Sequence, residues 1–245
     1  MPRERDAIIG DEVSPEEIVS AAQQAICRSI AYTYTEPTIF FEYAYDTARL
    51  AHEAGLANIY VTNGYMTAGA GEMLETFNPH LDAANVDLKA FRDETYRQYV
   101  GARLQPVPDS MKKMKQMGVW LEVTTLVIPG IDDDPAEVRD AARFVARELG
   151  SETPWHISRF FPAYRMTDVP PTPISTIQRA REIGREEGLR HIYGGNVPRE
   201  ATTSCPACGR LLIRRSGYRI LENYVDPEGR CPDCNTPLAG IGMGE

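Results

Sequence analysis

The chain has 245 residues, 42% of them apolar and 25% charged, with a formal net charge of −9. This is the composition of an ordinary globular protein that can bury its own core, and the acidic balance argues against a nucleic-acid backbone as partner. Residues 1–10 are charged with no apolar run, and no stretch approaches the roughly 20 apolar residues of a membrane span, so the sequence reads as cytoplasmic, with no signal peptide and no membrane contact.

Ser14, Pro15 and Glu17 form a helix start, with serine as cap and Glu17 placed to complete a capping box. Ile18, Ala21, Ala22, Ala25 and Ile26 then recur at helical spacing. Residues 29–34 read as a strand and 38–54 as an amphipathic helix stopped by Gly55. The strand at 58–62 ends at Asn63-Gly64, a helix covers 68–77, and 84–88 is the next strand. Two helical pieces fill 93–117, and a long strand at 120–128 ends at Pro129-Gly130. Asp134 with Pro135 and Glu137 opens a capped helix that runs to Gly150. A strand at 155–161, a helix from Thr172-Pro173 to Gly188 and a short strand at 191–193 follow. The pattern is a βα repeat of roughly five units, which implies a parallel sheet with helices outside. Such a repeat normally begins with a strand. This chain begins with a helix, so its first unit reads as half missing.

After Pro198 the pattern changes. Residues 1–198 read as the main domain and 199–245 as a small separate module. Cys205 and Cys208 form one C-x-x-C knuckle and Cys231 and Cys234 another, with 22 residues (209–230) between them. Two knuckles supply four thiolates, a tetrahedral set that suits zinc, with iron the minority option. Four thiolates saturate the ion, so the expected role is structural. Residues 211–213 and 218–221 are placed to pair as a hairpin between the knuckles.

In parallel α/β folds ligands sit at the carboxyl ends of the strands. The polar residues assigned there are Glu36, Asn63, Asp87 and Lys89, with Thr124 partway along its strand and His156. A carboxylate and an amide can hold an ammonium group, and a lysine can hold a carboxylate. Each also has a plain structural reading: Glu36 at a helix N-terminus, Asn63-Gly64 as a turn, Asp87 and Lys89 as a pair on one strand face, His156 as a structural histidine. Their shared location argues for a site.

Thr35-Glu36-Pro37, Thr62-Asn63-Gly64-Tyr65, Asp87-Leu88-Lys89, Ile128-Pro129-Gly130 and Trp155-His156-Ile157-Ser158-Arg159-Phe160 follow one another in a familiar order. With the cysteine tail, the chain resembles the radical SAM enzymes related to pyruvate formate-lyase activating enzyme, most of all the radical SAM component of the AmmeMemoRadiSam system. The resemblance spans nearly the whole chain. It implies a partial (β/α)6 barrel lacking its first strand and a zinc-ribbon or rubredoxin-like tail. It also implies S-adenosylmethionine as cofactor, cleaved to a 5′-deoxyadenosyl radical that abstracts hydrogen from an unknown protein or small-molecule substrate. A flavodoxin or ferredoxin would supply the electron. By position, Glu36 would hold the methionine amino group, and Asn63, Asp87, Lys89 and His156 would surround the methionine and ribose. Tyr34 and Thr35 replace the glycines of the family motif, and Thr124 falls where some activating enzymes carry arginine.

The family holds a 4Fe-4S cluster on a C-x-x-x-C-x-x-C loop after its first strand, and this sequence has no such motif. Cys27 is alone and reads as a buried small residue late in a helix. The cluster ligands are expected upstream of this chain, with Met1 an internal methionine of a longer protein. The alternative reading is a cluster-free barrel that binds a ligand or partner, with the tail as docking module.

Overall fold

Helix starts are set by a few neighbouring residues. The Ser14 hydroxyl accepts from the Glu17 N–H, and the Glu17 carboxylate accepts from the Ser14 N–H. This capping box opens α1 (Pro15–Gln24). The computed structural model describes residues 11–66, 70–198 and 201–244. After α1 come β1 (Ser29–Tyr32), α2 (Phe41–Glu53), β2 (Ala57–Thr62), α3 (Ala70–Phe77), β3 (Ala83–Asp87), a short α4 (Asp93–Thr95), α5 (Pro106–Gln116), β4 (Trp120–Val127), α6 (Pro135–Phe144), β5 (Trp155–Arg159), α7 (Ile174–Glu186) and β6 (Ile192–Gly195). These six strands form one parallel sheet in sequential order. The tail adds β7 (Ala201–Ser204), β8 (Leu211–Ser216) and β9 (Arg219–Asn223), an antiparallel sheet of its own. The β8–β9 pair is the hairpin read between the knuckles. β7 lies outside that reading. No helix among the described residues is long and apolar enough to cross a membrane.

The chain contacts group into two units. In the first (residues 1–87 and 106–121) the alternating residues Asn58, Tyr60 and Thr62 of β2 are buried. There an aromatic cluster forms. The Tyr60 and Phe77 rings lie 4.6 Å apart and Tyr32 meets both edge-on, an arrangement that suits ring quadrupoles. The Tyr32 hydroxyl donates to Asn58 Oδ1 at 2.8 Å, and Asn58 Nδ2 donates to the Ala48 carbonyl. Cys27 differs from its sequence reading. It lies beyond the end of α1 and is exposed, because Ile26 takes a positive φ of 55° and turns the chain out of the helix.

The second unit comprises residues 88–105 and 122–245. Here Val123, Thr125 and Val127 of β4, Trp155 and Ile157 of β5 and Ile192 of β6 are buried. Trp155 Nε1 donates to Thr125 Oγ1 at 3.0 Å. Helix α7 rides close on this face: a Cβ on Gly184 would stand 2.7 Å from Ile192 Cδ1 and 3.2 Å from the Trp155 ring. By strand alternation Glu122, Thr124, Leu126, His156, Ser158 and Tyr193 share the opposite face. That face is partly open, with none of the six buried. The strand read as 155–161 stops at Arg159. Beyond it the Phe160 N–H donates to Thr172 Oγ1 at 2.9 Å, the Thr172 N–H returns a bond to the Phe160 carbonyl, and Thr172 Oγ1 donates to the Val127 carbonyl at 2.5 Å.

Candidate cofactor and metal sites

In the first unit, Glu36 lies in the turn after β1 and is only 6% exposed. Its Oε1 accepts from Thr62 Oγ1 at 2.6 Å and from Thr38 Oγ1 at 3.1 Å, and Oε2 accepts from the Asn63 N–H at 2.8 Å. The carboxylate thus ties the turn after β1 to the end of β2. Oε2 carries one of these bonds, so it retains acceptor capacity for an ammonium group. Asn63 is half-buried, and its Oδ1 accepts from the Tyr65 N–H at 2.8 Å, the local turn expected of asparagine. Gly64 has φ 66°, and a Cβ there would meet Val86 Cγ1 at 2.5 Å, so only glycine fits this turn. Asp87 is the last residue of β3 and is half-buried. Thr62 carries no assigned role in the sequence. Its hydroxyl, buried at the strand end, is the signal that marks it.

In the second unit the Lys89 side chain is exposed, and its backbone N–H donates to the buried Tyr96 hydroxyl at 3.1 Å. The Phe91 N–H donates to Glu137 Oε1 at 2.7 Å, and burial raises the Glu137 carboxyl above its ordinary range. Asp132, in the loop after β4, is 4% exposed. Its Oδ1 accepts from the Ile128 N–H at 2.5 Å, while Oδ2 is buried without a partner among the described residues. Burial pushes this carboxyl up to about 7.

His156 differs in place from its reading as a carboxyl-end residue. It is the second residue of β5, at the amino end of the strand. The strand read as 155–161 already places His156 second from its start, and β5 keeps that start. On the open face His156 Nε2 lies 2.6 Å from Glu122 Oε2, both side chains about one-third exposed. Its ring stacks on Tyr193 at 5.3 Å and 27°. Glu122 is thus placed to accept a hydrogen bond from Nε2. Glu122 and Tyr193 were missed. Both could be found by following the polar residues at alternate positions of β4–β6. Thr124 is half-buried on the same face, midway along β4.

The tail brings its four cysteines together. Their sulfurs all lie within 4.8 Å of one another, with Cys205–Cys234 at 3.5 Å and Cys208–Cys231 at 3.6 Å. A tetrahedral ion with metal–sulfur bonds of about 2.3 Å spaces its sulfurs by roughly 3.8 Å, so the donor set fits. Each knuckle closes by the same local geometry. Gly209 and Asn235 take φ of 77° and 61°, and their N–H groups donate to the Cys205 and Cys231 carbonyls. The Thr236 hydroxyl, 3.2 Å from Cys234 Sγ, helps hold that thiol down at about 6. Arg210 and Asp233 pair across the knuckles.

A family model described as the Radical SAM superfamily matches residues 2–145. The chain belongs to the radical SAM superfamily. An uncharacterized protein of Methanocaldococcus jannaschii is 43% identical over 236 residues, which cover 95% of this chain and 69% of that protein. Among solved structures, a domain of pyruvate-formate lyase-activating enzyme from Bacteroides vulgatus superposes with TM-score 0.60 at 12% identity, over 69% of this chain and 99% of that one. A radical SAM methyltransferase from Sphaerobacter thermophilus gives 0.57 at 18% identity, over 81% and 62%. Streptococcus suis SuiB bound to S-adenosylmethionine gives 0.61 at 11% identity, over 78% and 45%. These likenesses concern the fold.

Radical SAM membership implies S-adenosylmethionine and a 4Fe-4S cluster. The cysteines of this chain do not fit the cluster. Cys27 stands alone and exposed, and the other four are gathered in the tail with C-x-x-C spacing.

Proposed function

We propose that this chain forms the S-adenosylmethionine-binding part of a radical SAM enzyme that abstracts hydrogen from its substrate, and that these 245 residues alone do not catalyse that reaction. The observation that carries the reading is the superfamily match joined to the lack of any three-cysteine loop in the sequence. Glu36, Asn63, Asp87, Lys89 and His156 are the proposed cofactor contacts. The acceptor capacity left on Glu36 suits the methionine ammonium, and the exposed Lys89 suits its carboxylate. The tail is proposed to hold zinc in a structural role. The substrate, the electron donor and a cytoplasmic location belong to the same proposal.

Anaerobic reconstitution with iron and sulfide tests this. The chain is expected to take up no labile sulfide and to show at most one iron, in the tail. A stable 4Fe-4S spectrum from these residues would overturn the reading.

A further inference from the structure

The tail and the open face of β4–β6 meet at one side chain. Tyr193 stacks its ring on His156. Its hydroxyl lies 2.9 Å from Thr203 Oγ1, on the first strand of the tail. Arg215 of β8 donates to the same Thr203 oxygen at 2.6 Å and places its guanidinium 5.4 Å from the centre of the Tyr193 ring. Thr203 is 5% exposed and stands in register with Ile213. Ile213 belongs to the tail core, with Leu212, Leu238 and two of the metal-ligand candidates, Cys205 and Cys231. A continuous run of packed and bonded groups therefore leads from the four sulfurs to the imidazole: Cys205 and Cys231, Ile213, Thr203, Tyr193, His156.

The two ends of this run differ in what holds them. Among the described residues the hydrophobic cluster of the tail holds five buried side chains, two of them cysteines. So small a core depends on a metal for its fold. His156 has one polar anchor among the described residues, Glu122, which fixes Nε2. One hydrogen bond leaves the ring free to tilt about it, and the flat contact with Tyr193 removes that freedom. Tyr193 is itself fixed from the tail, by a buried hydroxyl at one end and a guanidinium on its ring.

We propose that Tyr193 is a positioning residue through which the metal-bound tail sets the orientation of the His156 imidazole. The tail thereby helps to shape the open face of the sheet as well as stabilising itself. Its functional meaning rests on the reading above that His156 contacts the cofactor.

The test is long-range proton–nitrogen NMR of the four histidine rings in the full chain. His156 is assigned by its loss in His156→Gln, and zinc content is measured on each sample. Removing zinc with a chelator should move the His156 ring signals toward those of Tyr193→Leu, in which the stacking ring is gone. His52 and His80, in the first unit, should stay in place. Thr203→Val with zinc bound should move His156 part of the way, because only the hydroxyl bridge is lost. Unmoved His156 signals after verified zinc loss would overturn the proposal. If the protein binds no zinc, or if stripping it shifts all four histidines, Thr203→Val decides: a His156 that ignores this change sinks the idea. Titration with S-adenosylmethionine reads the cofactor proposal separately. If His156 answers to the tail but not to the cofactor, the coupling stands and the cofactor role falls.

Discussion

The four-cysteine tail and the Glu36 turn hold reactive groups together by opposite means. Around Glu36, Thr38, Thr62 and Asn63 bring donors from two loops and a strand, so the buried carboxylate is satisfied by the protein itself. In the tail, four sulfurs crowd within 4.8 Å, and thiols are weak donors that cannot satisfy one another. The first arrangement holds without a ligand while leaving acceptor capacity on Oε2, whereas the second has the donor set of an ion site. One part of the chain is therefore held by its own hydrogen bonds, and the other gathers a donor set that suits an ion.

Metal removal should separate the two most sharply. Chelation, or Cys231→Ser at a fully buried candidate ligand, should cost the tail on the order of 10 kcal/mol of metal-linked stability. Limited proteolysis with mass spectrometry should then find cuts within residues 201–244 while the first unit stays intact. Cuts spread evenly over the chain would erase the distinction.

Glu36→Ala tests the self-sufficient side. It leaves the Thr62 hydroxyl and the Asn63 N–H without their acceptor, at a cost of about 3 kcal/mol in urea unfolding. Glu36→Gln, which keeps one acceptor oxygen, should cost less. Equal losses in both would mean that the hydrogen bonds are not what holds the turn.

The smallest effect concerns Asp132. Burial raises its folded value to about 7, so the folded state binds a proton that the unfolded state releases. A carboxyl raised in this way destabilises the fold above about pH 7, and the penalty fades as pH falls toward its unfolded value. Stability should therefore rise by about 2 kcal/mol between about pH 8 and pH 5 from this group, and Asp132→Asn should flatten that slope. Denaturant midpoints across pH for both proteins check it, and identical slopes would show that Asp132 keeps an ordinary carboxyl.

What could be read from the sequence was what lies close along the chain. The Ser14–Glu17 box, the Asp134 cap and both cysteine knuckles are set within three or four residues, and each is found where its spacing put it. The order of the strands followed from the alternation of patterns. The partners of Glu36 did not, because Thr62 and Asn63 stand 26 and 27 residues away, and no local rule connects a carboxylate to a hydroxyl on the neighbouring strand. His156 was grouped with the carboxyl-end residues although the strand reading, 155–161, already placed it second from the start. The strand's end was not legible, because a threonine 12 residues beyond Phe160 takes its N–H and Phe160-Phe161 carry no stop signal of their own. Glu122 and Tyr193 needed strand register before they could be placed beside His156.

Thr172 has a consequence for how this part of the molecule can vary. Its N–H and hydroxyl close the segment between Phe160 and itself into a loop whose two ends are fixed to each other and to β4. Residues 161–171, with Tyr164 largely exposed, can then be exchanged or lengthened without passing strain into β5. Doubling such a loop costs only about 0.6 kcal/mol in closure entropy. The segment behaves as an interchangeable cassette, and the hydroxyl of one threonine is its clasp.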